Sequence, residues 1–98
     1  MSKYYDKDGK PLELMDWAWK FEDSAYKRIA ETRLDNGYWV STVWMGLNHN
    51  FGEGVPLIFE TMVFKGSKSD LDCERYTTLQ QAEEGHKRMV EKWREAKP

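Results

Sequence analysis

The sequence predicts an α+β fold, a small antiparallel sheet of three to four strands with an N-terminal and a C-terminal helix. Three observations carry that prediction. Two runs rich in β-branched and aromatic residues, 38–47 and 57–64, flank a polar, glycine-bearing segment, the pattern of two strands and their connection. From Leu79 to Trp93 apolar residues recur at helical spacing behind a capping-box sequence, Thr78-Leu-Gln-Gln81. The chain of 98 residues suits one domain, just large enough to bury a core without metals or disulfides.

Composition narrows the class. Charged residues make up 33% and aromatics 14%, so the chain is polar overall yet carries enough large side chains to fold. The net charge of −2 is finely mixed along the sequence, which indicates neither a strong nucleic-acid footprint nor a polyanion mimic. A single cysteine, Cys73, excludes an intrachain disulfide and has no neighbouring base in sequence, so an inert thiol is expected. Neither a signal-peptide pattern nor an apolar run long enough for a bilayer is read, and a cytoplasmic protein is the expectation.

Taken in order, residues 3–11 give an aromatic pair and then a turn at Asp8-Gly9, with Pro11 blocking further pairing through its own nitrogen. The Asp6-Lys-Asp-Gly9 run fails as a calcium loop, because Tyr4 and Met15 stand where the first ligand and the closing glutamate belong. Over residues 12–23, Leu14, Trp17, Ala18 and Phe21 share one helical face. Trp19 falls off that face, flanking the core or standing as a surface contact. Asp35-Asn36-Gly37 is strong hairpin chemistry. A two-residue Asn36-Gly37 loop would set Leu34 against Trp39, Thr32 against Ser41 and Ala30 against Val43 as a core face. Glu31, Arg33, Val40, Thr42 and Trp44 would then share a half-polar second surface, with Trp44 covered by the terminal helix or open to a ligand.

The candidate site residues are Trp44, Asn48, His49, Asn50, Phe51, Glu60 and His86. Segment 48–56 exceeds a simple hairpin, and such loops often carry function. Its Gly52-Glu-Gly54 lacks the third glycine, preceding strand and following helix of a dinucleotide fingerprint. His49 is a general base, a metal ligand or a solvated loop side chain. Glu60 interrupts an apolar strand row and is either paired, with Arg33 or Thr42, or placed in a site. Residues 66–70 read as a flexible connector and 73–77 as a short final edge strand. In the last helix, Gly85 costs about 1 kcal/mol relative to alanine and implies a close approach. His86, in the apolar stripe, is a buried hydrogen-bonded imidazole or the third member of a His49, Glu60, His86 cluster.

Tyr4-Tyr-Asp-Lys-Asp-Gly, the run from Val40 to Phe51, Ile58-Phe-Glu-Thr-Met-Val-Phe64, Arg75-Tyr-Thr-Thr78 and Gly85-His86 together resemble a family of small phage- and prophage-encoded proteins. The resemblance implies an accessory role in a host cell's cytosol, binding or redirecting a host component such as a defence system, and it transfers no catalytic residue. Three functions remain open. The first is an interaction protein, alone or as a homodimer, whose aromatics Trp19, Trp44, Phe51 or Tyr38 anchor a host protein. The second binds a small nucleotide-like ligand under the 48–51 loop. The third is a hydrolase using His49, Glu60 and His86. No cofactor, resident metal or membrane partner is indicated.

Overall fold

A computed structural model of the chain describes residues 3–48 and 54–97. Its architecture is α+β. A hairpin of β1 (Tyr4–Tyr5) and β2 (Pro11–Leu12) precedes two helices, α1 (Leu14–Glu22) and α2 (Ser24–Lys27). Four antiparallel strands follow in sequence order, β3 (Arg28–Arg33), β4 (Trp39–Trp44), β5 (Phe59–Lys65) and β6 (Lys68–Tyr76), and α3 (Leu79–Arg94) closes the chain.

The register of β3 against β4 corrects the expected pairing by one residue. Arg33 faces Trp39, Thr32 faces Val40 and Ala30 faces Thr42. The cause lies in the turn. Leu34 and Tyr38 close a loop of three residues, not two, with the Leu34 amide donating to the Tyr38 carbonyl at 2.8 Å. Gly37 takes φ of +93°, the left-handed residue that ends a three-residue hairpin loop. Val40, Thr42 and Trp44 therefore point to the core, while Trp39, Ser41 and Val43 lie on the other side. A β-bulge between Arg28 and Ala30 then lets Ile29 join the core as well.

Among the described residues the sheet is covered on one side only. Val40, Val63, Met89 and Val90 form one cluster under α3, and Trp44, Ile58, Phe59, Tyr76 and Ala82 form another, beneath the N-terminal hairpin and first helices. At the start of α3, Thr78 and Gln81 make the capping box expected. Its C-terminal end is held by the β3–β4 turn, where Asn36 Nδ2 donates to the carbonyls of Trp93 and Ala96 at 2.7 and 3.0 Å. The Trp93 carbonyl also accepts from the Ala96 amide at 3.2 Å in the closing turn, so the hairpin loop and the helix end fix each other.

β6 is longer than expected. Gly66-Ser67 forms a tight connection, with Lys65 paired to Lys68, and the strand runs nine residues to Tyr76. Its polar composition hid it. On the helix side Asp72 bonds Lys92 Nζ and Trp93 Nε1 at 2.7 and 2.9 Å, and Glu74 pairs with Arg88, so charged residues serve as its packing contacts.

Candidate interaction surface

The expected site residues separate into three environments. Trp44 is fully buried. Tyr26 packs edge-on against its ring at 4.9 Å and its Nε1 donates to the Tyr5 carbonyl at 3.0 Å, so no ring face is left for a ligand. Tyr26 of α2 and Tyr5 of the N-terminal hairpin cover it, in a buried cluster that Ala82 of α3 also joins.

His86 is also buried, in a chain of hydroxyls between α3 and the sheet. Its Nδ1 lies 2.7 Å from Thr42 Oγ1 and its Nε2 lies 2.9 Å from Thr32 Oγ1. Thr42 shares a hydrogen bond with Thr61, which accepts from the Tyr76 hydroxyl at 3.0 Å. Each polar group on this covered face thus meets another, which is why a strand carrying Thr42 can be a core strand. Burial holds the imidazole below its ordinary value of 6.5, and burial pushes the Tyr76 phenol up to about 12.

Glu60 lies on the opposite face of the sheet, beside Val43 and Arg75. Its partner is Arg75, whose Nε donates to Oε2 at 2.9 Å, in place of the expected Arg33 or Thr42. The four-stranded sheet itself stands between Glu60 and His86, so the proposed proton-transfer cluster does not assemble from these two. Burial and the Glu60 charge push the Cys73 thiol up, away from thiolate chemistry.

Asn48 acts structurally, accepting from the Leu57 amide through Oδ1 at 3.1 Å and donating its own amide to the Lys3 carbonyl. His49, Asn50 and Phe51 lie outside the described residues. Beside the returning chain, a cavity of about 180 Å³ is lined by Lys7, Pro56, Ile58 and Thr77 among others, with no aromatic ring among the described residues. That is below the few hundred Å³ of a typical ligand pocket. Among the described residues no cluster of three His, Cys, Asp or Glu is placed to hold a metal ion.

A different surface stands out. α1 is locked by its inner face, where Trp17 packs between Tyr4 and Phe21, with centroids 4.7 and 4.8 Å away, and donates its Nε1 to the Met45 carbonyl at 2.9 Å. With Trp17 and Phe21 turned inward, Met15 and Trp19 must turn outward, one helical turn apart. Leu14, expected on the core face, falls on the solvent side, whereas Ala18 is half-buried like Trp17 and Phe21. Trp19, Met15 and Leu14 are 70, 65 and 54% exposed. Met15, Ala18, Trp19 and Glu22 line a shallow groove of about 150 Å³. Sequence spacing flagged Trp19 as off the inner face, and that was the available signal; Met15 went unremarked because its neighbours Leu14 and Trp17 suggested a single stripe.

No family model, curated protein or solved structure matches this chain. The site is therefore read from its own geometry. Among the described residues no helix is long and apolar enough to cross a membrane.

Proposed function

We propose that this protein is a small binding protein of a host cell's cytoplasm that engages a host protein through the outer ridge of α1. The observation that carries the reading is the pair Met15 and Trp19, large apolar side chains left in water on a helix whose inner face is fully engaged. A tryptophan and a methionine at i and i+4 match the anchors of a helix lying in a hydrophobic groove. The neighbouring side chains Glu13, Asp16 and Glu22 supply a mainly acidic rim, interrupted by Lys20. An apolar centre with a polar rim is the anatomy of a specific interface. The resemblance to small phage-encoded proteins supports the same reading, with a component of host defence as the class of target.

The test is affinity capture from host lysate with the wild-type chain, Trp19→Ala, Met15→Ser and, as a control on another exposed apolar residue, Leu79→Ser. A protein retained by the wild type and by Leu79→Ser, and lost with either α1 variant, supports the ridge. Truncating a central aromatic anchor typically costs about 2 kcal/mol or more, some thirtyfold in affinity. Equal retention by all four chains overturns it.

A further inference from the structure

The face of the sheet turned away from the helices carries its own pattern. All three helices pack on the side of Val40 and Trp44. On the other side, the middle strands present Trp39, Val43, Met62 and Phe64, partly exposed, with Trp39 and Phe64 in ring contact at 4.9 Å. Arginines stand around this floor, Arg28 and Arg33 on β3 and Arg75 on β6.

The charges of this face are layered. Glu31 lies between Arg28 and Arg33 at 3.5 and 3.6 Å, and Glu60 lies under Arg75. The arginine side chains are 60, 71 and 45% exposed, whereas Glu31 and Glu60 are 29 and 9% exposed. The carboxylates are sheltered and the guanidinium groups face outward. A chain of net charge −2 thus shows a cationic rim around an apolar floor.

We propose that this uncovered face is a second docking surface, for an acidic segment of a partner protein whose carboxylates pair with Arg28, Arg33 and Arg75 while its aliphatic side chains cover Trp39, Val43, Met62 and Phe64. Guanidinium groups bind carboxylates in bidentate fashion and suit this role better than lysines. Two other occupants fit less well. A second copy stacked on the same face would set arginines against arginines, since the acids that compensate them are already engaged beneath. Single-stranded nucleic acid needs a free aromatic face, but the Trp39 ring has the Arg33 guanidinium over it at 4.5 Å and Phe64 beside it. The surface lies across the sheet from the core that carries α1, so this inference does not depend on the α1 ridge.

The probe is an immobilised wild-type chain exposed to a peptide library in which Asp or Glu alternates with Leu, Ile or Phe. The same library with Asn and Gln in place of the acids is the reference. The acidic library is expected to be retained preferentially, with retention falling as salt rises, and Arg28→Glu with Arg33→Glu should weaken it by about tenfold or more. Trp19→Ala should leave it unchanged, which separates this surface from the ridge. No preference for the acidic library, or equal retention by the reversed-charge variant, overturns the proposal. So does an oligothymidine that displaces the peptides, or a dimer by light scattering that the charge reversal abolishes; these point to nucleic acid and to self-association respectively.

Discussion

α3 and α1 lie on the same side of the sheet, and both carry large apolar residues, yet they use them in opposite ways. α3 buries Ala82, Gly85, His86, Met89 and Val90, and is tied at both ends, by its capping box and by Asn36 of the β3–β4 turn. α1 buries no residue fully, rests on one tryptophan wedge and turns Met15 and Trp19 into water. The difference separates what holds the fold from what is free to bind. Substitutions on the inner side should act on stability, and those on the α1 ridge should act on recognition alone.

The largest effect is expected at Trp44, where the two halves of the covered face meet. Trp44→Ala removes a fully buried ring and leaves the Tyr5 carbonyl without its indole donor, so a loss of about 3–5 kcal/mol is expected in urea unfolding. A loss below about 1 kcal/mol would place this ring at the surface and erase the contrast between the two helices. Gly85→Ala comes next. Helix propensity alone predicts a gain of about 1 kcal/mol. However, the added Cβ would run into the Tyr76 ring, whose hydroxyl is committed to Thr61. Overpacking of this kind costs about 1–3 kcal/mol and a broken buried hydrogen bond about as much again, so the sterics win. Gly85→Ala is expected to destabilise the wild-type chain by about 2 kcal/mol, and to stabilise a Tyr76→Ala background, where the ring is gone.

A smaller effect is expected on acidification. Because burial depresses the His86 pKa, the folded chain resists a proton that the unfolded chain accepts. Above pH 6.5 both states are neutral and this group contributes no slope. As pH falls below 6.5 the unfolded state charges first, so stability falls until the lower, folded pKa is passed. Asp72 acts in a more acidic window. Burial would raise its pKa, but hydrogen bonds from Lys92 and Trp93 together hold it below 3.8. Its contribution is present above 3.8 and is lost as pH falls through the folded value. Thermal midpoints measured from pH 7.5 to 5 should therefore decline below 6.5 in the wild type and decline less in His86→Gln. Parallel curves for the two chains would assign the acid sensitivity to other groups.

Much of the covered face was legible in sequence, and the reasons are local. The capping box and 79–93 stripe marked α3, and alternation in 57–65 separated Phe59, Thr61 and Val63 from Glu60, Met62 and Phe64, but it also set Ile58 with Glu60, whereas Ile58 lies just before β5 and is buried in the core with Phe59. The orientation of β4 was not legible, because one extra residue in the Asp35-Asn36-Gly37 loop exchanges every side chain between faces. Thr42 then looked like a surface residue, although a histidine 44 positions later supplies its partner. β6 was hidden because its contacts to α3 are ionic. For the candidate surface, the sequence marked Trp19 as off the inner face but extended the apolar stripe to Leu14, which is exposed. The rotation of α1 is set by the Trp17 indole reaching the Met45 carbonyl, a contact across 28 positions that no local pattern encodes.

The smallest stability effect is expected at Trp19, and it decides the comparison between the helices. A ring 70% exposed has little area left to lose on truncation, so Trp19→Ala should change the unfolding free energy by no more than about 0.5 kcal/mol. Alanine also has the higher helix propensity, which offsets part of any loss. The expected result is a variant as stable as the wild type that no longer retains the partner. If Trp19→Ala instead costs as much as Trp44→Ala, the ring packs against the protein's own surface in solution, and α1 joins α3 as part of the core.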